Sequence, residues 1–141
     1  MNIRNYQTSD YESVAALYKD SSLFGGQFDE TRDSEERLCN LINEKPDAIL
    51  VAENSDGKIV GTVTLFEDGR SAWLYRFAVT KDMEKEITME LWKKAKAILK
   101  EKGHTQVLVY APAGDKGFED RYEYLGFNKG NDFTAYWQDI D

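Results

Sequence analysis

The chain of 141 residues has few of the residues that build special sites, with one cysteine, one histidine and two prolines. A single cysteine, Cys39, cannot form an internal disulfide, which is typical of proteins from a reducing compartment. The histidine, His104, has no second histidine and no cysteine at a metal-ligand spacing. The sequence therefore predicts a cytoplasmic protein without a disulfide framework and without a metal site.

Long apolar runs and an excess of positive charge are also missing. No stretch approaches the roughly 20 apolar residues of a membrane-spanning helix, and the N-terminus lacks the apolar core of a signal peptide. The formal net charge is -8, whereas phosphate binding draws on Lys and Arg. We therefore expect neither nucleic acid nor a membrane as partner. An acidic chain suits cationic partners such as amines or basic peptides, although solubility explains the charge more simply.

The content of hydrophobic and aromatic residues indicates a folded domain. Hydrophobic residues make up 41% of the chain and aromatic residues 13%, a composition typical of globular proteins and unlike that of disordered segments. The length is sufficient for one core. We therefore predict a single domain over residues 1–141, without repeats or linkers.

Hydrophobic periodicity and turn signals predict an alternation of strands and helices. The predicted strands are 2–7, 48–52, 58–66, 72–79, 106–110 and 133–137, and the predicted helices are 9–19, 33–45, 82–102 and 118–125. The three strands between 48 and 79 should form an antiparallel meander. Because a long helix separates strand 72–79 from strand 106–110, these two should lie parallel, with the first in the centre of the sheet.

The junction that follows strand 72–79 is the most informative stretch of the sequence. Strand-to-helix junctions bind phosphates well, because the first amides of a helix have no internal partner. Such sites usually contain glycines, which let backbone and ligand approach closely. This junction has no glycine between Phe77 and Thr88 and carries Glu84 and Glu86. The position predicts a cofactor site, and the residues predict that this site is weakened, altered or lost.

The order of elements resembles that of the GNAT acetyltransferase family over nearly the whole chain. Phe77-Ala78-Val79 is similar to the end of the family's fourth strand, and Tyr122-Glu123-Tyr124-Leu125-Gly126-Phe127 is similar to its Tyr-x-x-x-Gly-Phe ending. The two motifs occur at the right separation and in the right order. The resemblance implies an α/β (α+β) fold with a mixed central sheet, an antiparallel meander, a long crossover helix and a splayed pair of parallel strands.

The resemblance also implies an activity, the transfer of an acetyl group from acetyl-CoA to a primary amine of a small molecule or peptide. The backbone of Phe77, Ala78 and Val79 would pair with the pantetheine arm of acetyl-CoA. Tyr122 would be the general acid that protonates the departing thiolate; its alternative is a packing role at the edge of the core. Acetyl-CoA would be the co-substrate, no metal is implied, and a homodimer is a candidate assembly.

The start of the long helix departs from the family's loop, which reads Arg/Gln-x-x-Gly-x-Gly/Ala. With Ile87 as anchor, the two glycine positions fall on Glu86 and Thr88, and Lys85 is the local positive charge. We therefore predict that Lys85, Glu86, Ile87 and Thr88 bind the cofactor weakly, because carboxylates oppose a pyrophosphate. The alternative function is a catalytically inactive binding or regulatory protein of the same fold that has lost CoA binding.

The acceptor site is predicted from loop and strand residues. Phe24 and Phe28 lie in the loop between the first two helices, which covers the acceptor in the resembled family. Glu67, Tyr75 and Arg76 could line the sheet cleft as substrate contacts or as a base, and water could relay the proton instead. For each of these residues, an ordinary structural role is the competing interpretation.

Overall fold

The computed structural model describes residues 1–23 and 25–141. Its elements are β1 Asn2–Asn5, α1 Tyr11–Lys19, α2 Glu35–Glu44, β2 Ile49–Glu53, β3 Ile59–Glu67, β4 Ala72–Val79, α3 Glu84–Glu101 and α4 Lys116–Tyr124. The chain divides into two compact units, Met1–Tyr110 and Ala111–Asp141. The predicted α/β fold with its meander and long helix is confirmed, whereas one domain over the full length stays a prediction.

The first unit is built on a sheet with strand order β1-β2-β3-β4, in which neighbouring strands are antiparallel. The apolar run of β2 is buried on both faces, because α1 and α3 cover opposite sides of the sheet. Thr64 of β3 lies beside Tyr18 of α1, whereas Gly61 of the same strand faces α3. Residues three apart in a strand point to opposite faces.

Helix α3 lies unusually close to the sheet at Gly61. A β-carbon on Gly61 would come within 2.7 Å of Ile87 Cγ2 and within 2.9 Å of Val79 Cγ1. Only glycine permits this approach without repacking. The buried stripe of α3, which begins with Ile87 and Leu91, is thereby held directly against β3 and the end of β4.

The helix starts differ from the predicted ones by a few residues. Gln7 and Asp10 form a capping box around a short 3-10 turn, so α1 begins at Tyr11 and not at the predicted residue 9. At α2 the cap is Ser34, whose hydroxyl accepts a hydrogen bond from the Arg37 N–H at 3.2 Å. Helix α3 begins at Glu84, two residues later than predicted.

Strand β4 and the segment 106–110 lie parallel, as predicted, but their pairing is short. Trp73 and Leu108 form a parallel bridge: the Leu108 N–H donates to the Ala72 carbonyl and the Leu74 N–H donates to the Leu108 carbonyl, both at 2.9 Å. The described residues 106–110 form no strand, and Leu108 and Tyr110 are exposed. The prediction of a buried strand there is wrong, and β4 closes the described four-stranded sheet.

The predicted closing strand at 133–137 is also wrong. Within the described part of the second unit, residues 125–141 form neither helix nor strand, and Phe133, Tyr136 and Trp137 are 79%, 94% and 83% exposed. Aromatic residues favour strands because they pack against neighbours on a pleated surface. These three side chains have no such packing, so their composition did not produce a strand.

Candidate active site

The second half of β4 contains a β-bulge centred on Arg76. Thr64 pairs with Tyr75 and Thr62 pairs with Ala78, so three steps on β4 lie opposite two steps on β3. The extra residue is Arg76, which has a φ of 51°. Glycine is the usual residue in this left-handed conformation, which costs other residues about 1–2 kcal/mol. Strain of this kind is frequent at functional sites.

The bulge changes which backbone groups of β4 face β3. Beyond it, the Thr80 N–H donates to the Val60 carbonyl at 2.9 Å, and the alternation of an antiparallel ladder then turns Ala78 towards β3 as well. The backbone groups of Phe77 and Val79 consequently point away from β3. Before the bulge, Ala72 and Leu74 point to that same edge, where they bond Leu108. This edge therefore bonds Leu108 at its beginning, and the backbone groups of Phe77 and Val79 face the same side further along.

Arg76 is held by a buried ion pair with Asp33, at the end of the loop between α1 and α2. Its Nε donates to Asp33 Oδ1 at 3.0 Å and its Nη2 donates to Asp33 Oδ2 at 2.8 Å. Both side chains are only 3% exposed. The guanidinium also lies over the Tyr75 ring, 4.5 Å from its centre. A two-pronged pair of this kind is the strongest form of Arg–carboxylate contact.

The loop between α1 and α2 lies directly on the outward edge of β4. A β-carbon on Gly25 would come within 2.0 Å of the Phe77 carbonyl oxygen, and Gly25 has a φ of +84°. Phe28 packs against the core, and the Lys19 ammonium lies 4.6 Å from its ring centre. The prediction for Phe24 lies outside the described residues. The loop thus contacts β4 at Phe77, one of the residues at which acetyl-CoA was predicted to pair.

Tyr75 is a half-buried residue on the loop side of β4. Its ring meets Phe66 edge to face, with 6.4 Å between centroids. Burial raises the pKa of the Tyr75 hydroxyl, and the Arg76 charge opposes this shift. A tyrosine with a raised pKa is protonated at neutral pH and can donate a hydrogen bond, but it is a poor base.

The start of α3 presents two of its four predicted cofactor residues to solvent. Lys85 and Glu86 are exposed, whereas Ile87 and Thr88 are buried. The Thr88 hydroxyl donates to the Glu84 carbonyl at 2.8 Å and to the Lys85 carbonyl at 3.0 Å. Thr88 therefore has a structural role at its glycine position, and Glu86 is the residue there whose charge can act on a bound anion.

Glu67 lies at the far end of the meander from Val79. It pairs with Ala72, and the seven residue steps from Ala72 to Val79 span about 23 Å of strand. Lys45 Nζ donates to Glu67 Oε2, and His104 Nε2 lies 2.8 Å from Glu67 Oε1. The hydrogen bonds from Lys45 and His104 lower the pKa of Glu67 to about 2. This placement favours a structural role for Glu67 over contact with an acceptor.

Tyr122 lies in α4, within the second unit. It is 9% exposed, whereas Tyr124 is 44% exposed. Its ring meets Phe127 edge to face, with 5.4 Å between centroids, and the Phe127 N–H donates to the Tyr122 carbonyl at 2.8 Å. Burial raises the pKa of the Tyr122 hydroxyl, while the neighbouring Arg121 charge opposes the rise. The hydroxyl is therefore protonated at neutral pH, as a general acid must be.

The structure thus brings Phe77, Ala78, Val79 and Tyr75 together on β4. Sequence reasoning missed the contact of Gly25 with this strand and the pairing of Asp33 with Arg76. A weak signal existed in the glycine pair of the loop, which can permit close backbone approach. Among the residues that the structure describes, no group of three or more His, Cys, Asp and Glu side chains could hold a metal ion. No helix in that part of the chain is long and apolar enough to cross a membrane.

The fold belongs to a known class of enzymes. The chain is a member of the acetyltransferase (GNAT) family, whose model matches residues 11–127. The predicted resemblance is therefore confirmed, and acetyl transfer is the general activity of the family. No curated protein matches the chain.

Several solved acetyltransferase structures share the fold. An aminoglycoside antibiotic 6'-N-acetyltransferase from Acinetobacter haemolyticus is 18% identical, with a TM-score of 0.76 and 100% of both chains covered. The enzyme of the same type from Acinetobacter baumannii is 14% identical, with a TM-score of 0.77 and 99% of both chains covered. Glucosamine-6-phosphate N-acetyltransferase from Arabidopsis thaliana is 20% identical, with a TM-score of 0.70 and 97% of this chain and 98% of that chain covered.

Proposed function

We propose that the protein is an acetyl-CoA-dependent N-acetyltransferase that acts on a primary amine of a small molecule or peptide. The observation that carries this proposal is the outward edge of β4, where the backbone of Val79 points away from β3 beyond the bulge at Arg76. An extended pantetheine arm can pair with such an edge in the manner of an added strand. Family membership supplies the reaction class.

The proposed reaction is direct transfer. The amine nitrogen of the acceptor attacks the thioester carbonyl, the new C–N bond forms, and the C–S bond breaks. The amine loses a proton to water or a nearby base, and the departing thiolate gains one from Tyr122. Backbone N–H groups at the β4 edge would polarise the carbonyl as negative charge develops on its oxygen. The raised pKa of Tyr122 keeps the proton available for the thiolate.

The diphosphate of CoA would lie at the start of α3, where Lys85, Glu86, Ile87 and Thr88 contribute backbone and the exposed Lys85 contributes charge. The first amides of a helix favour an anion. The exposed Glu86 carboxylate acts against one, which leads us to expect weaker binding than a glycine loop would give. The presence of Glu86 at a glycine position of the family's loop also favours the second candidate, a protein of the same fold that binds or regulates without CoA.

Phe28 and Tyr75, together with Phe24, are the proposed acceptor contacts. Tyr75 lies on the loop side of β4 beside Arg76, so it is well placed to form part of the acceptor wall. The acidic chain suits a cationic amine. Because the structural neighbours named above acetylate amino sugars, an aminoglycoside and glucosamine 6-phosphate are rational first probes.

We further propose a homodimer and a cytoplasmic location. Phe133, Tyr136 and Trp137 are large apolar side chains that are exposed within five residues of chain, and exposed apolar patches mark interaction sites. Three aromatic side chains from each of two copies would bury about 1,000 Å², which a stable interface requires. Sedimentation should give a dimer that Trp137→Ser weakens, and a strictly monomeric wild-type protein would contradict it. The single cysteine, Cys39, supports a reducing compartment.

The activity is tested by following thiol release from acetyl-CoA with a panel of amines: both probes named above, a polyamine and a lysine-containing peptide. An amine-dependent release, together with a product 42 Da heavier than its acceptor by mass spectrometry, is the expected result. Binding of acetyl-CoA without transfer to any acceptor would favour the non-catalytic alternative.

A further inference from the structure

The residue at the β4 bulge is an unusual choice for its backbone conformation. Position 76 has a φ of 51°, for which glycine is the default because it has no β-carbon. An arginine at this position incurs backbone strain, which the contacts of its side chain have to offset. Arg76 is 6% exposed, and its guanidinium is bound at two points by Asp33. The residue that forms the bulge is therefore also the residue that forms the buried ion pair.

Asp33 is itself fixed from the loop side. Its Oδ2 accepts a hydrogen bond from the Asp29 N–H at 2.8 Å, and its N–H donates to the Asp29 carbonyl at 2.9 Å. Its carbonyl accepts a bond from the Tyr11 hydroxyl at 2.8 Å. Asp33 therefore connects a closed turn of the loop and α1 to the Arg76 side chain of β4.

The consequence of this connection falls on the neighbouring residue. Phe77 follows Arg76 directly, and Gly25, in the same loop as Asp33, lies against the Phe77 carbonyl. The loop thus contacts the edge of β4 at two places, once through the ion pair and once through backbone packing. A shift of the pair would move the loop and the edge together.

We propose that Arg76 is a positioning residue whose ion pair with Asp33 fixes the β4 bulge and aligns the acceptor-side loop 20–34 with the Phe77–Val79 edge. The pair touches neither reacting group and acts through the backbone that it orients. This inference rests on the proposed acetyl transfer for its kinetic consequence. Its structural consequence, the coupling of loop and strand, does not depend on that activity.

The test compares two single variants, Arg76→Gln and Asp33→Asn, with the double variant. Each single variant leaves a buried charge without its partner and should lower Tm strongly, whereas the double variant removes both charges and should regain part of that loss. If the pair only stabilises the fold, activity should recover with Tm. If it positions the edge, kcat of the double variant should stay roughly 10²-fold below wild type at a temperature where both are folded.

The control is the Arg4–Asp10 pair at β1, which is also two-pronged, at 2.8 and 2.9 Å, but is less buried and shares Arg4 with Glu53. Arg4→Gln/Asp10→Asn makes the same chemical change with the same net charge. It should alter Tm and leave kcat within about threefold of wild type, since this pair lies at β1 and not on β4, and rate is lost when the reacting groups themselves are misplaced. An equal loss of kcat in both double variants would overturn the proposal, and so would full activity in Arg76→Gln/Asp33→Asn.

Hydrogen exchange provides a readout that needs no turnover. The amides of residues 20–34 and 77–79 should exchange faster in Arg76→Gln/Asp33→Asn than in wild type, and those of β1 and β2 should not. Unchanged exchange in both segments would overturn the proposal. If wild type neither binds nor turns over acetyl-CoA, the proposed function fails. Hydrogen exchange alone then tests whether the Arg76–Asp33 pair couples the loop to β4.

Discussion

Gly25 lies so close to Phe77 that a β-carbon on Gly25 would come within 2.0 Å of the Phe77 carbonyl oxygen. The loop between α1 and α2 therefore packs backbone against backbone on β4. This contact sets the distance between the loop that should meet the acceptor and the strand that should hold acetyl-CoA. The contact can therefore be tested by adding a single methyl group at Gly25.

Gly25→Ala should destabilise the protein and lower any acetyl-transfer activity. Gly69→Ala is the control, because Gly69 has an equally positive φ of +85° with nothing within 4 Å of its added methyl group. Both variants incur the backbone strain of alanine, but only Gly25→Ala forces the loop from the strand. Its free energy of unfolding should fall by roughly 1–3 kcal/mol more than that of Gly69→Ala. Equal losses in urea denaturation would show that the loop moves freely.

Tyr122→Phe should reduce kcat by roughly 10²-fold or more, because it removes the proton of the proposed general acid and keeps the ring. Acetyl-CoA binding and thermal stability should change little. Tyr124→Phe is the matched control and should be nearly silent, since Tyr124 is largely exposed two residues further along. If both variants lose activity equally, packing is the cause, and a fully active Tyr122→Phe would assign the acid to water or another group.

Glu86→Gln should strengthen acetyl-CoA binding. Glu86 is exposed in the first turn of α3, and one carboxylate about 4 Å from a phosphate opposes it by roughly 1 kcal/mol in water, which corresponds to about fivefold in affinity. The gain should shrink as salt rises. Glu101→Gln at the other end of α3 should have no effect. The same affinity for wild type and Glu86→Gln would place the diphosphate elsewhere.

Restoring glycine at position 88 should be costly. Thr88 is 1% exposed and its hydroxyl bonds two carbonyls of the first turn. The sequence alone predicts at least a tenfold gain in affinity from glycine at positions 86 and 88 together. Because Thr88→Gly also leaves a cavity, we expect it to lower Tm, and the double variant must be compared with Thr88→Gly alone in both Tm and affinity.

Glu67→Gln should change the pH dependence of stability and leave kcat unaltered. The pKa of Glu67 is lowered from 4.5 to about 2 by its bonds with Lys45 and His104, so its ionised form is favoured in the folded state. The ionised Glu67 carboxylate makes its full contribution to the free energy of unfolding above pH 4.5, and this contribution is lost as the pH falls towards 2. Wild type and Glu67→Gln should therefore differ in unfolding free energy at pH 7 and converge near pH 2. Asp47→Asn, which breaks the half-exposed pair with Lys102, should change little.

A large loss of kcat in a stable Glu67→Gln would restore Glu67 as a candidate base. That outcome would require the acceptor to reach the Ala72 end of β4. Chemical denaturation across pH 2 to 7 and steady-state kinetics on the same preparations distinguish the two roles.

The features predicted correctly from the sequence are those written into local patterns. The apolar run that becomes β4, the amphipathic stripe of α3 and the short helix that contains Tyr122 each follow from nearby residues, and the order of elements identified the family. Arg76 and Asp33 are 43 residues apart, and Asp33 looks like a helix cap when only its neighbours are considered. Their pairing exists only once the loop has folded onto β4.

The wrong predictions share a different cause. Residues 106–110 and 133–137 contain strand-favouring side chains, yet only Leu108 pairs among the described residues. A strand requires a partner along its length, and single-residue preferences do not supply one. The bulge at Arg76 could not be predicted either. It is defined by the register between β3 and β4, which neither strand's sequence determines alone.

Calorimetric titration of the folded protein with acetyl-CoA measures directly whether the β4 edge and the start of α3 hold this co-substrate. We expect one site per chain with a Kd between about 1 μM and 1 mM, weakened by salt and strengthened in Glu86→Gln. No binding heat and no shift in Tm at several millimolar acetyl-CoA would contradict it and would favour a GNAT-fold protein that has lost its co-substrate.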